Sequence, residues 1–269
     1  MNSRKLAVIG VGNMAKAVIC GLLQSEIPVT DIILYDKNSQ QYENFLENPR
    51  FRVADSAASA MQAADCVLLA VKPQNYDEVL TELAALPCSC EKLYISIAAG
   101  ITSYSVSERL SGACVIRVLP NVPMLIGKGV SLICRNPNAK QEDFDFVCRL
   151  FCSAGSIQLI EETDMNRMIG VTSSSPAYVF RFIQAIYEGA LAQGLPDENL
   201  LNSICDVVIG SAQMVKESTE SPEGLVARVA SKGGTTEKAL ETLGAYRFNE
   251  AVGDAMRACT ARADELGQK

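Results

Sequence analysis

The residues best placed to do chemistry stand in two glycine-rich stretches far apart in the chain. Gly10-Val11-Gly12-Asn13-Met14-Ala15 has the form G-x-G-x-x-A, and Ser231-Lys232-Gly233-Gly234-Thr235-Thr236 is a glycine pair running into two hydroxyl side chains. In the first stretch Gly10 permits a tight turn, Gly12 lets backbone N–H groups approach phosphate oxygens, and Ala15 leaves room for a helix to pack on a strand. That arrangement seats a pyrophosphate on a helix N-terminus, and so suits a dinucleotide. In the second stretch, successive N–H groups at a helix start form a concave seat for an anion such as a carboxylate, and the Thr hydroxyls add directed hydrogen bonds. The same residues also read as an ordinary helix start, with Thr as a cap and Glu237 in the first turn, and chemistry alone leaves these two readings level.

Charged residues fall where a dinucleotide would need reading. The apolar run Ile32-Ile33-Leu34-Tyr35 ends in Asp36-Lys37, about 20 residues beyond the first turn, which is the ribose position of this fingerprint. Asp36 could accept from a free ribose, whereas Lys37 could neutralise a 2′-phosphate; both also read as a charged strand end. Ala70-Val71-Lys72-Pro73 follows another apolar run, and its proline turns the chain across the carboxyl edge, where open α/β sheets hold ligands. Lys72 reads equally well as a solvated strand end.

What the chain lacks narrows the chemistry further. It has no histidine, which removes Ser-His-Asp and Cys-His mechanisms and any histidine acid. There is no Cys-x-x-Cys pair either, so no metal site is expected. A formal charge of -7 without a basic run speaks against nucleic acid as a partner. The ten cysteines sit mostly in apolar runs such as Asp65-Cys66-Val67-Leu68, as free thiols do in a reducing compartment. With no apolar run of the roughly 18 to 20 residues that a membrane span needs, and no cleavable pattern in Met1-Asn2-Ser3-Arg4-Lys5, the expectation is a cytoplasmic protein with no membrane partner.

Two kinds of element must position these residues. From Lys5 to about Ile160, strand-like runs at Leu6–Ile9, Ile32–Tyr35, Cys66–Val71, Leu93–Ile97, Val115–Leu119 and Val130–Cys134 alternate with helix-period segments, the pattern of a parallel sheet covered by helices. Ala15, Val18, Ile19, Leu22 and Leu23 form one apolar stripe, which predicts a helix directly after the glycine turn. Beyond about Thr163 only helical patterns follow, notably Pro176–Gln193, Glu198–Glu217, Thr235–Leu243 and Phe248–Leu266. The reading is an α/β chain with an N-terminal Rossmann-type domain over residues 1–162 and an all-α domain over 163–269. Pro176–Gln193 is apolar on several faces and must be buried, most easily by a second copy of the chain, which predicts a homodimer.

Six segments, in order and correctly spaced, make the chain resemble the pyrroline-5-carboxylate reductase family: Gly10 to Ala15, Ala70 to Gln74, Ser96 to Ile101, Arg117 to Pro123, Pro176 to Phe180 and Ser231 to Thr236. The resemblance implies a Rossmann domain, an interlocked helical dimer that often builds larger rings, and reduction of L-1-pyrroline-5-carboxylate to L-proline with NADPH or NADH, the final step of proline biosynthesis. It implies cofactor contacts from Ile9, Gly10, Val11, Gly12, Asn13 and Met14, near Asp36 and Lys37, and from Ala70, Val71, Lys72 and Pro73, with Ala98 and Ala99 beside the nicotinamide. For the small imino-acid substrate it implies the amides of Gly233, Gly234, Thr235 and Thr236 on the carboxylate, Thr236 Oγ on the ring nitrogen, and Ser174 in the site wall. A protonated imine is already electrophilic, so the missing histidine costs nothing.

The chain departs from the family pattern at Thr172-Ser173-Ser174-Ser175, at Lys232, at Ala57 and at Ala227. Two other readings stay open. A β-hydroxyacid dehydrogenase relative would use a lysine on the interdomain helix, where residues 164–175 contain Arg167 and no lysine. A non-catalytic dinucleotide-binding paralogue would fit the serine run.

Overall fold

In a computed structural model of the protein, which describes residues 3–25 and 27–267, the apolar runs of the first half become strands buried on both faces. Met1 and Asn2, part of the N-terminal reading, lie outside the described residues. The strands are β1 (Arg4–Ile9), β2 (Val29–Tyr35), β3 (Phe51–Val53), β4 (Cys66–Leu69), β5 (Leu93–Ser96), β6 (Cys114–Leu119), β7 (Gly129–Arg135) and β8 (Gly155–Leu159). They form one sheet in the order β3-β2-β1-β4-β5-β6-β7-β8. Between them run α1 (Asn13–Leu23), α2 (Ala57–Gln62), α3 (Tyr76–Ala84), α4 (Ser103–Arg109) and α5 (Gln141–Cys152), and α6 (Glu162–Met168) follows β8.

Because side chains alternate along a strand, each central strand feeds two layers. Leu6 and Val8 of β1, Ile32 and Leu34 of β2 and Leu68 of β4 pack with Val18, Ile19 and Leu22 of α1 and with Val147, Leu150 and Phe151 of α5. Ala7, Ile9, Ile33, Val67 and Leu69 face the other way, against Met61 of α2, Leu80 and Leu83 of α3 and Val106 of α4. A sheet covered on both faces leaves only its edges for ligands. The chain crosses from β1 to β2 on one side and later returns to β4 on the other, so the carboxyl ends of β1 and β4 mark the switch point where such sheets open a crevice.

The sheet is mixed rather than wholly parallel. β6 and β7 run antiparallel, while every other neighbouring pair is parallel. A parallel return needs a crossover of about a dozen residues or more, and the 120–128 link is only a 3-10 stretch, Val122–Ile126, stopped by Gly127 at φ 69°. β3 and β8 have no apolar run in the sequence to announce them. The six expected strands are all present, although β4 stops at Leu69, before Ala70 and Val71.

Compactness divides the chain into one unit up to Ser174 together with Arg257 onward, and a second unit, Ser175–Met256. The first unit therefore runs past residue 162, because Met165 and Ile169 are buried with Leu119, Leu132, Cys134 and Ala263 in a third apolar cluster. The second unit is helical: α7 (Ser175–Ala192), α8 (Leu200–Glu217), α9 (Pro222–Val229), α10 (Thr235–Ala245) and the first part of α11 (Phe248–Gly267). α7 packs on α8, and the Phe182 and Phe248 rings meet at 6.5 Å between centroids. The expectation that α7 is buried fails for a single copy of the chain. None of its residues is buried, and Phe180, Phe182, Val207 and Ile209 all lie open. Among the described residues no helix is long and apolar enough to cross a membrane.

Candidate active site

Strand β1 delivers Gly10 to the switch point in the left-handed region, at φ +89°. A Cβ there would stand 2.8 Å from the Val71 nitrogen and 2.9 Å from the Ala70 carbonyl, so the first turn is pressed against the chain leaving β4. Backbone bonds fix both strands to it, with Gly10 N–H donating to the Tyr35 carbonyl at 2.8 Å and Ala70 N–H to the Ile9 carbonyl at 2.9 Å. Gly12 is different. Nothing lies within 4 Å of where its Cβ would be. It is the N-cap of α1, and no side chain caps that helix. The first N–H groups of α1 thus open on a cleft of about 460 Å³ lined by Gly10, Gly12, Asn13, Asp36, Lys37, Ala70, Val71 and Lys72, among others.

Of the positions that the sequence points to, those eight line the cleft. Ile9 and Val11 are fully buried, so each can face a ligand only through its backbone, and Met14 is half-buried against the core. Pro73 borders a smaller cavity beside Ile101, Arg262 and Leu266. Ala98, just beyond β5, is 5% exposed.

The two charged residues after β2 do different things. The Asp36 carboxylate accepts from Val11 N–H at 2.7 Å and from Asn38 N–H at 2.9 Å, and so pins the glycine turn to the end of β2. Lys37 reaches across to α3, where its Nζ lies 2.8 and 2.7 Å from the two carboxylate oxygens of Glu78. That hydrogen bond holds the Lys37 ammonium above its ordinary pKa. Glu78 also lines the cleft. Sequence reasoning missed it, because an acidic residue in the first turn of a helix reads as a partner of the helix dipole.

Behind the cleft, polar side chains clamp the sheet to its neighbours. The Tyr76 hydroxyl donates to the Leu69 carbonyl at 2.9 Å and meets Ser96 Oγ at 3.0 Å, and burial pushes its pKa up to about 12. Arg117, 1% exposed, donates to Glu162 and to Asn166 Oδ1, while Glu162 also accepts from Ser103 N–H and Oγ. Asn166 in turn donates to Asp264 of α11 at 2.7 Å. Gly100, at φ +82°, lies against α11: an added Cβ would run into the Ala263 carbonyl.

The serine run begins at the end of a single π turn, Ile169–Ser173, a form frequent at functional sites; Ser174 follows the turn and Ser175 opens α7. It is tied down, since Ser173 Oγ donates to the Pro120 carbonyl and Asn121 to the Thr172 carbonyl, while Ser174 N–H closes on Ile169. Ten cysteines are free; Cys66 and Cys134 are buried, with their pKa values pushed up to about 12, while Cys20, Cys90 and Cys152 are exposed.

In the second unit, Gly233 takes φ +74° and Gly234 is the N-cap of α10. No side chain caps that helix, so Thr235 and Thr236 enter its first turn with their hydroxyls uncommitted to capping. Gly233 N–H donates to the Glu237 carboxylate at 2.7 Å. An added Cβ at Gly234 would stand 2.6 Å from Ser231 Oγ, whereas at Gly233 it would meet nothing.

An uncapped helix N-terminus behind a glycine turn, at the switch point of a doubly covered sheet, is a dinucleotide seat, and the class is that of an NAD(P)H-dependent oxidoreductase, since residues 5–100 match the family described as NADP oxidoreductase, coenzyme F420-dependent. Residues 162–266 match pyrroline-5-carboxylate reductase dimerisation. The chain belongs to the pyrroline-5-carboxylate reductase family: it is 34% identical to the Haemophilus influenzae enzyme over 99% of this chain and 98% of that one, and 33% identical to the Escherichia coli enzyme over 98% and 99%. Among solved structures, pyrroline carboxylate reductase from Plasmodium falciparum, with NADP bound, matches at TM-score 0.90 and 28% identity over 99% of both chains. The Streptococcus pyogenes enzyme matches at TM-score 0.90 and 28% identity over 98% of this chain and all of that one.

Proposed function

We propose that the chain reduces L-1-pyrroline-5-carboxylate to L-proline with NADPH or NADH, as the final step of proline biosynthesis. Full-length membership of the family supports the reaction, and the observation that carries the cofactor reading is the open space at Gly12 above the uncapped start of α1. A pyrophosphate fits there, held by the backbone N–H groups of Gly12, Asn13 and Met14 and by the positive end of the α1 dipole, while the N–H groups of Gly10 and Val11 go to Tyr35 and Asp36 and shape the turn. Asp36 and Lys37 would flank the adenosine ribose, and Ala70 to Pro73 with Ala98 would line the path toward the reacting ring. When bound, the nicotinamide supplies a hydride to the imine carbon.

The residues from 163 onward would carry the substrate. The N–H groups of Gly233, Thr235 and Thr236 hold its carboxylate, which replaces Glu237 at Gly233, while the Gly234 N–H stays on the Ser231 carbonyl and shapes the turn; Thr236 Oγ orients the ring nitrogen, and Ser174 forms part of the wall. No protein nucleophile or titrating acid is needed, so catalysis is mainly positioning. The open apolar faces of α7 and α8 support a homodimer, and a ring of such dimers is a further assembly to test. We place the enzyme in the cytoplasm, with no nucleic acid or membrane partner.

Oxidation of NADH or NADPH by the purified chain, followed by absorbance with pyrroline-5-carboxylate and with proline as the detected product, tests the reading. Cofactor binding without proline formation would favour the non-catalytic paralogue.

A further inference from the structure

From the cleft geometry we infer that Glu78 sets the preference between dinucleotides with and without a 2′-phosphate, by occupying the Lys37 ammonium, which stands next to Asp36 at the end of β2. The inference rests on the dinucleotide reading of the cleft and goes beyond it in naming an acidic residue on α3, 41 residues from its partner. Lys37 and Glu78 both line the cleft, beside Asn38 and Gln41. Both carboxylate oxygens lie within 2.8 Å of Nζ, so the lysine charge is already matched. Asp36 does not compete for it, because its two oxygens are engaged by Val11 and Asn38 N–H groups. Glu82, one turn further along α3, is turned to the Ala58 N–H at 2.8 Å.

A 2′-phosphate carries roughly -1.5 to -2 charges near neutrality. To meet the Lys37 ammonium it must displace Glu78 or lie against its carboxylate, and either lowers affinity. A free 2′-hydroxyl brings no charge and can itself donate to a carboxylate. The pair is 63% exposed on both sides, so it opens readily and weakens phosphate binding without forbidding it. On this account the pair acts as a graded filter favouring NADH.

The test compares the ratio of kcat/KM for NADPH to that for NADH, with dissociation constants for each cofactor by calorimetry, in wild type, Glu78→Gln, Lys37→Gln and the double variant. Glu78→Gln should raise the ratio about three- to tenfold, the scale expected from removing one exposed like charge. Lys37→Gln should lower it, and adding Glu78→Gln on that background should move it less than about twofold, because the carboxylate acts through the lysine. An unchanged ratio in Glu78→Gln, or an equal rise with and without Lys37, overturns the inference while leaving the cleft assignment intact. If neither dinucleotide binds the wild-type chain, the cleft reading itself fails and the inference falls with it.

Discussion

The two glycine turns share a composition and differ in what holds them. Gly10 is gripped from outside its own segment, by the backbone of residues 70 and 71 and by the carbonyl of Tyr35. The turn at Gly233 is held by neighbours a few residues away, Ser231 and Glu237, and around Gly233 there is open space. A turn built from distant contacts is rigid before any ligand arrives, whereas one built from local bonds keeps its N–H groups available at little cost. The first suits a cofactor recognised by backbone approach, the second a small carboxylate that can replace Glu237.

Substitutions can break this contrast, beginning with the largest effect. Gly10→Ala puts a Cβ into the Val71 backbone at a positive φ, so chemical denaturation should show a loss of about 3 to 5 kcal/mol or no folded protein. A variant as stable as wild type would show that the first turn is not gripped as described. Gly12→Val, where the added atoms enter open space, should leave the unfolding midpoint close to wild type yet weaken NAD(P)H binding by about a hundredfold or more, since the side chain fills the pyrophosphate seat. Calorimetry with both cofactors decides it, and undiminished affinity would move the seat elsewhere.

Sharper tests fall on the second turn. Thr236→Ala should lower kcat/KM for pyrroline-5-carboxylate about ten- to a hundredfold, the cost of one hydrogen bond to a charged group. Its NAD(P)H affinity should stay near wild type, and unaltered kcat/KM would remove the hydroxyl from the substrate site. Smallest of all, Gly233→Ala should cost only about 1 to 2 kcal/mol of stability, the strain of a left-handed residue with free space around it. A loss as large as that of Gly10→Ala would erase the distinction between the turns.

What could be read from sequence follows the same division. Strands β1, β2, β4, β5, β6 and β7 announce themselves as apolar runs because both of their faces are covered. β3 has only Phe51 buried, and β8 alternates half-exposed and exposed residues at the sheet edge, so neither leaves an apolar signature. The antiparallel turn into β7 depends on the length of a link rather than on any motif. The G-x-G-x-x-A fingerprint located the cleft because strand, turn and helix are contiguous. Glu78 was invisible because its partner is brought near only by the crossover from β2 to α3. The exposure of α7 could not be foreseen for one copy of the chain: apolar periodicity predicts that a face will be covered but not which molecule covers it.

The return of α11 has a consequence for how the protein is made. Ala263 is buried with Leu119, Leu132, Met165 and Ile169, and Gly100 is shaped to receive it. The first unit therefore draws on residues synthesised after the whole second unit, and a nascent chain cannot complete the third apolar cluster of its first unit before its helical half has left the ribosome. Chains stalled shortly before Arg257 emerges should leave the segment around Met165 and Ile169 protease-sensitive while the two larger cores are already protected, whereas a first unit complete without α11 would protect that segment as soon as Ser174 is clear of the tunnel.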